Sequence, residues 1–237
     1  MTISEQTRAH LEASGTPNVA NRLLRLGYRN VVLNGVSPVS PDQPKLIGEA
    51  YTLRFIPARE DIDSMKNYGL ETNKHRRAIE ECPADHVLVI DAFDCLEASA
   101  MGDMMARRLA HRGVSGVVTN GGFRDSSGIA ETGIPAYHRG AAVPATPIKL
   151  HPVALNEPVG LRGVPVYPGD VIFGDEDGVV VIPAHEVDSV AEGAADDARY
   201  ELFAAEKIRE GATLFEVFPS TPESYREYQN AQTERES

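Results

Sequence analysis

Apolar residues recur at helical spacing through Val19, Leu23, Leu24 and Leu26. Thr16-Pro17 precedes them as an N-cap with proline at the first helical position, and Gly27 follows as a stop, so the pattern predicts a packed helix. Residues 50–56 are apolar and β-branched enough for a strand, ended by Pro57 and the charged Arg59-Glu60-Asp61. Thr72 is placed to cap a short helix reaching Glu81, which Pro83 stops. Residues 86–91 (HVLVID) then read as a buried strand, because the centre is continuously apolar. After a loop over 92–99, Gly102-Asp103-Met104-Met105 opens an amphipathic helix closed by Gly113, and 116–120 forms the next strand. This βαβ order predicts a right-handed crossover, with the strand ends and the helix N-terminus along one edge, where ligands bind in such folds. A further short strand is expected at 134–137.

The second half alternates strand-like runs with turn residues. Residues 168–183 (PGDVIFGDEDGVVVIP) read as a β-hairpin, and the acidic trio Asp175, Glu176 and Asp177 reads as turn chemistry, since the other ligand positions of a calcium loop are missing. Residues 184–209 are Ala- and Glu-rich at helical spacing up to Gly211, and 220–237 form a polar tail that frays or packs on a neighbour. With no linker-like stretch and no internal repeat, residues 1–237 are expected to form one domain, an α/β core joined to an antiparallel layer, with a C-terminal helix and tail over 184–237.

Charge narrows the partners. Twenty-three Lys and Arg against 35 Asp and Glu give a net charge of -12, which on average repels a phosphate backbone or an anionic membrane, so no nucleic acid and no membrane is expected. An anionic metabolite still fits where a local arginine or metal reverses the field. Cys82 and Cys95 lack CxxC spacing, and Met1-Thr2-Ile3-Ser4-Glu5 is no signal peptide, so a cytoplasmic protein is expected.

The candidate chemistry gathers at two segments. In Gly121-Gly122-Phe123-Arg124-Asp125 the glycines allow a tight turn and leave space for a small ligand. Arg124 offers two parallel N–H donors to a carboxylate, and Asp125 a hard oxygen to a divalent cation. The alternative is a plain surface ion pair. At Gly102-Asp103-Met104-Met105, free N–H groups and the helix dipole would bind the same carboxylate, or Gly102 and Asp103 simply cap a helix. His151 either approaches this pocket or is a loop or core histidine, and both cysteines read as buried hydrophobes. GxSxG, Walker A and GxGxxG are all missing, which leaves Asp91 after its strand with little claim on a cofactor ribose.

Residues 48–55 (GEAYTLRF), 101–125 (MGDMMARRLAHRGVSGVVTNGGFRD), 134–140 (IPAYHRG) and 164–183 together resemble the family that joins the 4-hydroxy-4-methyl-2-oxoglutarate aldolases with the regulators of ribonuclease activity A, over roughly residues 15–215. The resemblance implies an α/β fold of the phosphohistidine-domain-like (swivelling β/β/α) layered-sandwich type, assembled as a homotrimer or hexamer with sites between subunits, and a Mg²⁺ or Mn²⁺ cofactor. It implies that Arg124 binds the pyruvyl portion and Asp125 ligates the metal. Gly102, Asp103, Met104 and Met105 would supply backbone amides and an acidic side chain near metal-bound water. A glutamate from a neighbouring subunit's C-terminal helix maps to Glu201, in a segment (ARYELFAAEKIREG, 198–211) that departs from the short aldolases.

The expected function is a metal-dependent class II aldolase cleaving a 4-hydroxy-2-oxo acid to pyruvate, with oxaloacetate decarboxylation as a side activity. The catalytic residues are then Arg124, Asp103 and Glu201. The alternatives are a non-catalytic regulator of ribonuclease E or a helicase, and a lyase or dehydratase of sugar-derived 2-oxo acids.

Overall fold

The computed structural model describes residues 3–236, so Met1, Thr2 and Ser237 of the expected terminal segments lie outside the described residues. The first half contains α1 (Glu5–Glu12), α2 (Thr16–Arg25), β1 (Ser37–Pro38), β2 (Leu46–Pro57), α3 (Met65–Tyr68), α4 (Lys74–Glu81), β3 (His86–Asp91), β4 (Ser99–Met101), α5 (Asp103–His111) and β5 (Gly116–Thr119). There follow β6 (Gly122–Phe123), α6 (Ser126–Ala130), β7 (Ala136–His138), β8 (Leu150–Leu155), β9 (Val159–Leu161), β10 (Val164–Val166), β11 (Val171–Asp175), β12 (Gly178–Ile182), α7 (Val187–Arg209), α8 (Leu214–Val217) and α9 (Pro222–Glu236).

One mixed eight-stranded sheet carries the fold, in the order β1-β7-β5-β3-β2-β11-β12, with β8 also on β2. The pairs β2–β3, β3–β5 and β5–β7 are parallel, as the βαβ reading requires. The hairpin β11–β12 does not form a separate layer as expected from sequence. It pairs antiparallel with Leu46–Glu49 of β2 and so extends the same sheet. β2 makes this possible by its length. It runs twelve residues rather than seven, and from Leu53 on it pairs antiparallel with β8, across a bulge at Arg54/Phe55.

The continuously apolar HVLVID run follows from burial on both faces. Leu88 and Ile90 pack with Ile79, Leu109, Val117 and Phe123 under the α4–α5 side, while Val87 and Val89 pack with Leu46, Tyr137, Ile172 and Val181 on the other. A third cluster joins Ile47, Phe173 and Ile182 to Val19 and Leu23 of α2 and Val190 and Ala194 of α7.

Helix boundaries shift where tertiary partners replace the expected caps. Gly15, not Thr16, is the N-cap of α2. The Thr16 main-chain N–H and hydroxyl both donate to the buried Asp175 carboxylate at 2.7 Å, which ties the helix start to the β11–β12 turn. Asn73 rather than Thr72 caps α4, accepting from His75 and Arg76 N–H. The tail is not frayed within the described residues. α9 lays Tyr228 against Tyr200 of α7, whose hydroxyl donates to Val217 O at 2.6 Å, and Tyr225 donates to Asp196 at 2.7 Å. No described helix is long and apolar enough to cross a membrane.

His75 is fully buried between Phe55, met edge-on at 5.2 Å between ring centroids, and Tyr68 at 5.9 Å. Among the described residues neither ring nitrogen has a well-formed hydrogen bond, and the Ala100 backbone offers only a weak one. Burial lowers its pKa from 6.5 to about 4, only partly offset by the Ala100 backbone. The folded pKa is depressed, so the unfolded chain binds more protons between these values. The neutral ring's contribution is complete above pH 6.5 and is lost as pH falls toward 4, a swing of about 3 kcal/mol. Denaturant unfolding from pH 7 to 4 should therefore show a steeper loss in wild type than in His75→Leu; equal slopes contradict this assignment.

Candidate active site

The site is assembled by the short parallel pair β4–β6, which sets Met101 opposite Phe123. The Arg124 N–H then donates to Met101 O at 3.0 Å, so the residues after each strand, Gly102-Asp103 and Arg124-Asp125, emerge side by side. Gly102 is what lets them converge. A Cβ there would lie 2.8 Å from Asp125 Oδ2 and 2.9 Å from Arg124 Nε, closer than packed atoms approach. The tight approach expected at Gly121 and Gly122 has a different cause. Their missing Cβ atoms make room for Ala92 and Ala142 of the protein rather than for a ligand, and the glycine beside the reactive groups is Gly102.

Asp125 adopts φ 56° and ψ 41°, the left-handed region that Asp tolerates better than most residues, and it precedes α6 without its side chain capping that helix. Its half-exposed carboxylate lies 3.3 Å from Arg124 Nε. Non-glycine residues in the left-handed region cluster at functional sites. Asp103 starts α5 with Oδ2 3.4 Å from Arg107 Nε, and Gly128 of α6 allows it to sit close, since a Cβ there would fall 2.8 Å from Asp103 Cβ. Arg107 is itself held by Glu131 at 3.1 Å. No side chain caps the first turn of α5, which leaves its N–H groups for a ligand.

Gly102, Asp103, Met104, Met105 and Arg124 line one cavity of about 340 Å³, at the small end of the ~300–1,000 Å³ usual for small-molecule pockets. Of the residues expected to act, the structure brings these together, with Asp125 beside them. Glu201 is not among the residues lining this cavity in its own chain; on α7 it accepts from Asn18 Nδ2 at 3.0 Å. Five polar lining residues were missed, Tyr68, Arg76, Glu80, Arg108 and Thr146. Arg76 and Glu80 stand four apart on α4, a spacing that puts them on one face and was legible; Tyr68 lies in a segment with no periodic signal.

His151 lies on β8 with Nδ1 2.7 Å from Asp63 Oδ1, lining a separate cavity of about 270 Å³ that shares only Tyr68 and Thr146 with the first. The Asp91 carboxylate accepts from Asn120 Nδ2 and the Phe93 N–H, which fixes the ends of β3 and β5. Cys82 is buried and its thiol pushed up to about 12 by burial. Cys95 is only half-buried, because it sits in the loop after β3 rather than in a strand.

Comparison with known proteins decides the family. The sequence model described as RraA-like, Aldolase/RraA, matches residues 16–181. The chain belongs to the RraA-like family. It is 26% identical over 191 residues to Protein DlpA of Legionella pneumophila, covering 76% of this chain but only 30% of DlpA. It is 34% identical over 137 residues to a Halalkalibacterium halodurans protein provisionally named 4-hydroxy-4-methyl-2-oxoglutarate aldolase, covering 56% of this chain and 64% of that one. The chain thus matches less than two thirds of the length of either relative. Among solved structures, Streptomyces coelicolor RraAS2, titled an unusual member of the RNase ES inhibitor RraA family, superposes with TM-score 0.75 at 29% identity over 85% of this chain and 96% of that one. An uncharacterised Pseudomonas syringae protein superposes with TM-score 0.78 at 22% identity, over 92% of this chain and 98% of that one, a likeness of fold.

Gly102→Ala should displace the Arg124 and Asp125 side chains while leaving the fold intact, because both contacts are with partly exposed, movable groups. Ligand binding falls at least tenfold with thermal melting nearly unchanged; undiminished binding shows the close approach to be incidental.

Proposed function

We propose that this RraA-like protein is a divalent-metal-dependent carbon–carbon lyase of the aldolase type, which cleaves a 4-hydroxy-2-oxo acid and releases pyruvate. The observation that carries the reading is the convergence, across Gly102, of a guanidinium, a half-exposed carboxylate that caps no helix and a helix start without a side-chain cap. The aldolase names of relatives support it.

The residues fit a hard cation. Asp125 is not spent on capping, the missing Cβ at Gly102 leaves space beside its Oδ2, and Mg²⁺ commonly takes one or two carboxylates while keeping water and substrate oxygens. Asp125 would hold Mg²⁺ or Mn²⁺, which supplies Lewis-acid polarisation of the 2-oxo group. Among the described residues no group of three or more His, Cys, Asp or Glu side chains is arranged to hold a metal, so Asp125 is the one protein ligand this reading assigns.

Arg124 grips the substrate carboxylate with its two-donor fork, and the first-turn N–H groups of α5 share that negative charge. Asp103 orients a water that removes the 4-hydroxyl proton. The C3–C4 bond breaks, its electron pair is delocalised as the enolate of pyruvate beside Arg124, and the other half leaves as an aldehyde or ketone. Protonation at C3 by water gives pyruvate. Oxaloacetate decarboxylation passes through the same enolate. Glu201 acts, in this reading, from a neighbouring copy within a trimer or hexamer.

Pyruvate release from a panel of 4-hydroxy-2-oxo acids should appear with Mg²⁺ and vanish in EDTA. Arg124→Lys should lower kcat by about 2–4 kcal/mol of transition-state stabilisation, since lysine offers no fork to the growing enolate. A folded protein that releases no pyruvate contradicts the reading and favours a regulator, and pyruvate release undiminished in EDTA contradicts the metal dependence.

A further inference from the structure

The cavity that contains His151 has no part in the mechanism above, yet it holds a pair of side chains suited to moving protons. The Asp63 side chain is only 9% exposed, and its two oxygens take the His151 ring at 2.7 Å and the Arg59 N–H at 2.9 Å. A carboxylate only accepts, so the neutral imidazole carries its proton on Nδ1 and leaves Nε2 as an open base. Nε2 has no partner among the described residues. Among the described residues lining this cavity, Asp63 is the one carboxylate and Lys74 the one ammonium, and Lys74 Nζ is already engaged by Val153 O at 2.7 Å.

One short segment connects this pair to the Arg124 cavity. Asp63 lies in the loop after β2 and Tyr68 ends α3, and the spacing between them is fixed from within. Asn67 Nδ2 donates to Ile62 O at 2.7 Å, and the Tyr68 N–H donates to Ser64 O at 2.9 Å. Tyr68 lines both cavities. Burial raises its phenol pKa and so keeps the hydroxyl protonated, while Thr146, Arg124 and Arg76 favour the phenolate it would leave behind. A tyrosine in that setting can give up a proton and have its conjugate base stabilised.

We propose that Tyr68 is the acid that protonates C3 of the pyruvate enolate, and that His151, oriented by Asp63, returns a proton to it through water in the second cavity. This rests on the reading of the Arg124 site as a pyruvate-releasing lyase, and it replaces the water assigned above to that step. The Tyr68 O–H bond breaks as the C3–H bond forms. The phenolate is then reprotonated from Nε2–H of the His151 imidazolium, which Asp63 stabilises, and Nε2 regains a proton from solvent. One proton has left at the 4-hydroxyl and one has entered at C3, so the charge balances. A cavity of about 270 Å³ has room for several waters at about 30 Å³ each. Tyr68 is the catalytic residue of this step; His151 and Asp63 act through it, as positioning residues for the proton.

In reverse the same groups take a proton from C3 of pyruvate, so exchange of the pyruvate methyl protons with D₂O, followed by NMR in Mg²⁺, isolates the step from carbon–carbon cleavage. We expect Tyr68→Phe and His151→Ala each to slow exchange tenfold or more, while both remain folded by circular dichroism and bind oxalate within about threefold of wild type. Imidazole added to His151→Ala should restore exchange, and it should do nothing for Tyr68→Phe. Asp63→Asn should lower the maximal exchange rate without raising the pyruvate concentration that half-saturates it. Exchange undiminished in Tyr68→Phe, or lost in His151→Ala without rescue by imidazole, overturns this inference while pyruvate release leaves the parent reading intact. Oxalate affinity lost in step with exchange overturns it too, because the His151–Asp63 pair then only ties its segment to β8. If wild type neither releases pyruvate nor exchanges its protons, the parent reading falls and this inference with it.

Discussion

The pairing of β4 with β6 is the constraint on which the rest of the site depends. Two very short strands, joined by the Arg124 N–H to Met101 O bond, bring the start of α5 against the start of α6. Neither strand is long enough to hold itself in place. They are held by what surrounds them: Met101 and Phe123 are fully buried in the cluster that includes Ile90, Leu109 and Val117, so the core of the large sheet fixes the register of the small one. Ser99 and its neighbour Thr146 add polar ties, with the Thr146 hydroxyl donating to Ser99 O at 2.7 Å. Core packing thereby sets side-chain position at the site, and rigid elements place reactive groups more reproducibly than loops do.

A second consequence is electrostatic. A strongly acidic chain would repel an anionic metabolite, yet the arginines here lie on α4, α5 and the turn after β6, whose faces meet at one cavity. Local cations within a low-dielectric wall outweigh distant surface acids, which solvent and salt screen within about 10 Å. Arg107 and Arg108, adjacent on α5, serve three carboxylates, Arg107 holding Asp103 and Glu131 and Arg108 holding Glu80, and so link α5 to α6 and to α4. The ion pairs are exposed enough to add little stability singly; their effect is to orient the walls.

Much of this was legible in the sequence because it rests on local patterns. HVLVID, the PGD-to-VVIP hairpin, and the helix between Gly102 and Gly113 each declare period, length and boundaries within a dozen residues. The GD and RD segments were expected to meet because a βαβ unit gathers strand ends and helix starts at one edge; in the structure the pair that brings them side by side is β4–β6, two strands too short to be read from sequence. What sequence did not show depends on distant partners. The cap of α2 moved because Asp175, far along the chain, replaces a local cap. The hairpin joined the main sheet because β2 extends beyond the run that propensity suggested, and β8 escaped notice because it carries Pro152 on a bulged pairing with β2. Arg76 was missed because its spacing with Glu80 marks a helix face without showing that the face borders a pocket, and Tyr68 because its segment carries no periodic signal. The aromatic packing of α9 was missed because a polar helix with Tyr225 and Tyr228 reads as a tail until Tyr200 is found beneath it.

Under the proposed function, Arg124 and Asp125, brought together across Gly102, hold a 2-oxo acid and a cation as one unit. Oxalate, a planar mimic of the pyruvate enolate, tests it most directly when titrated with and without Mn²⁺ into wild type and Asp125→Asn. The account predicts that Mn²⁺ tightens oxalate binding at least tenfold in wild type, and that Asp125→Asn abolishes this coupling while the fold persists. Oxalate affinity that is indifferent to Mn²⁺, or coupling that survives in Asp125→Asn, would contradict it.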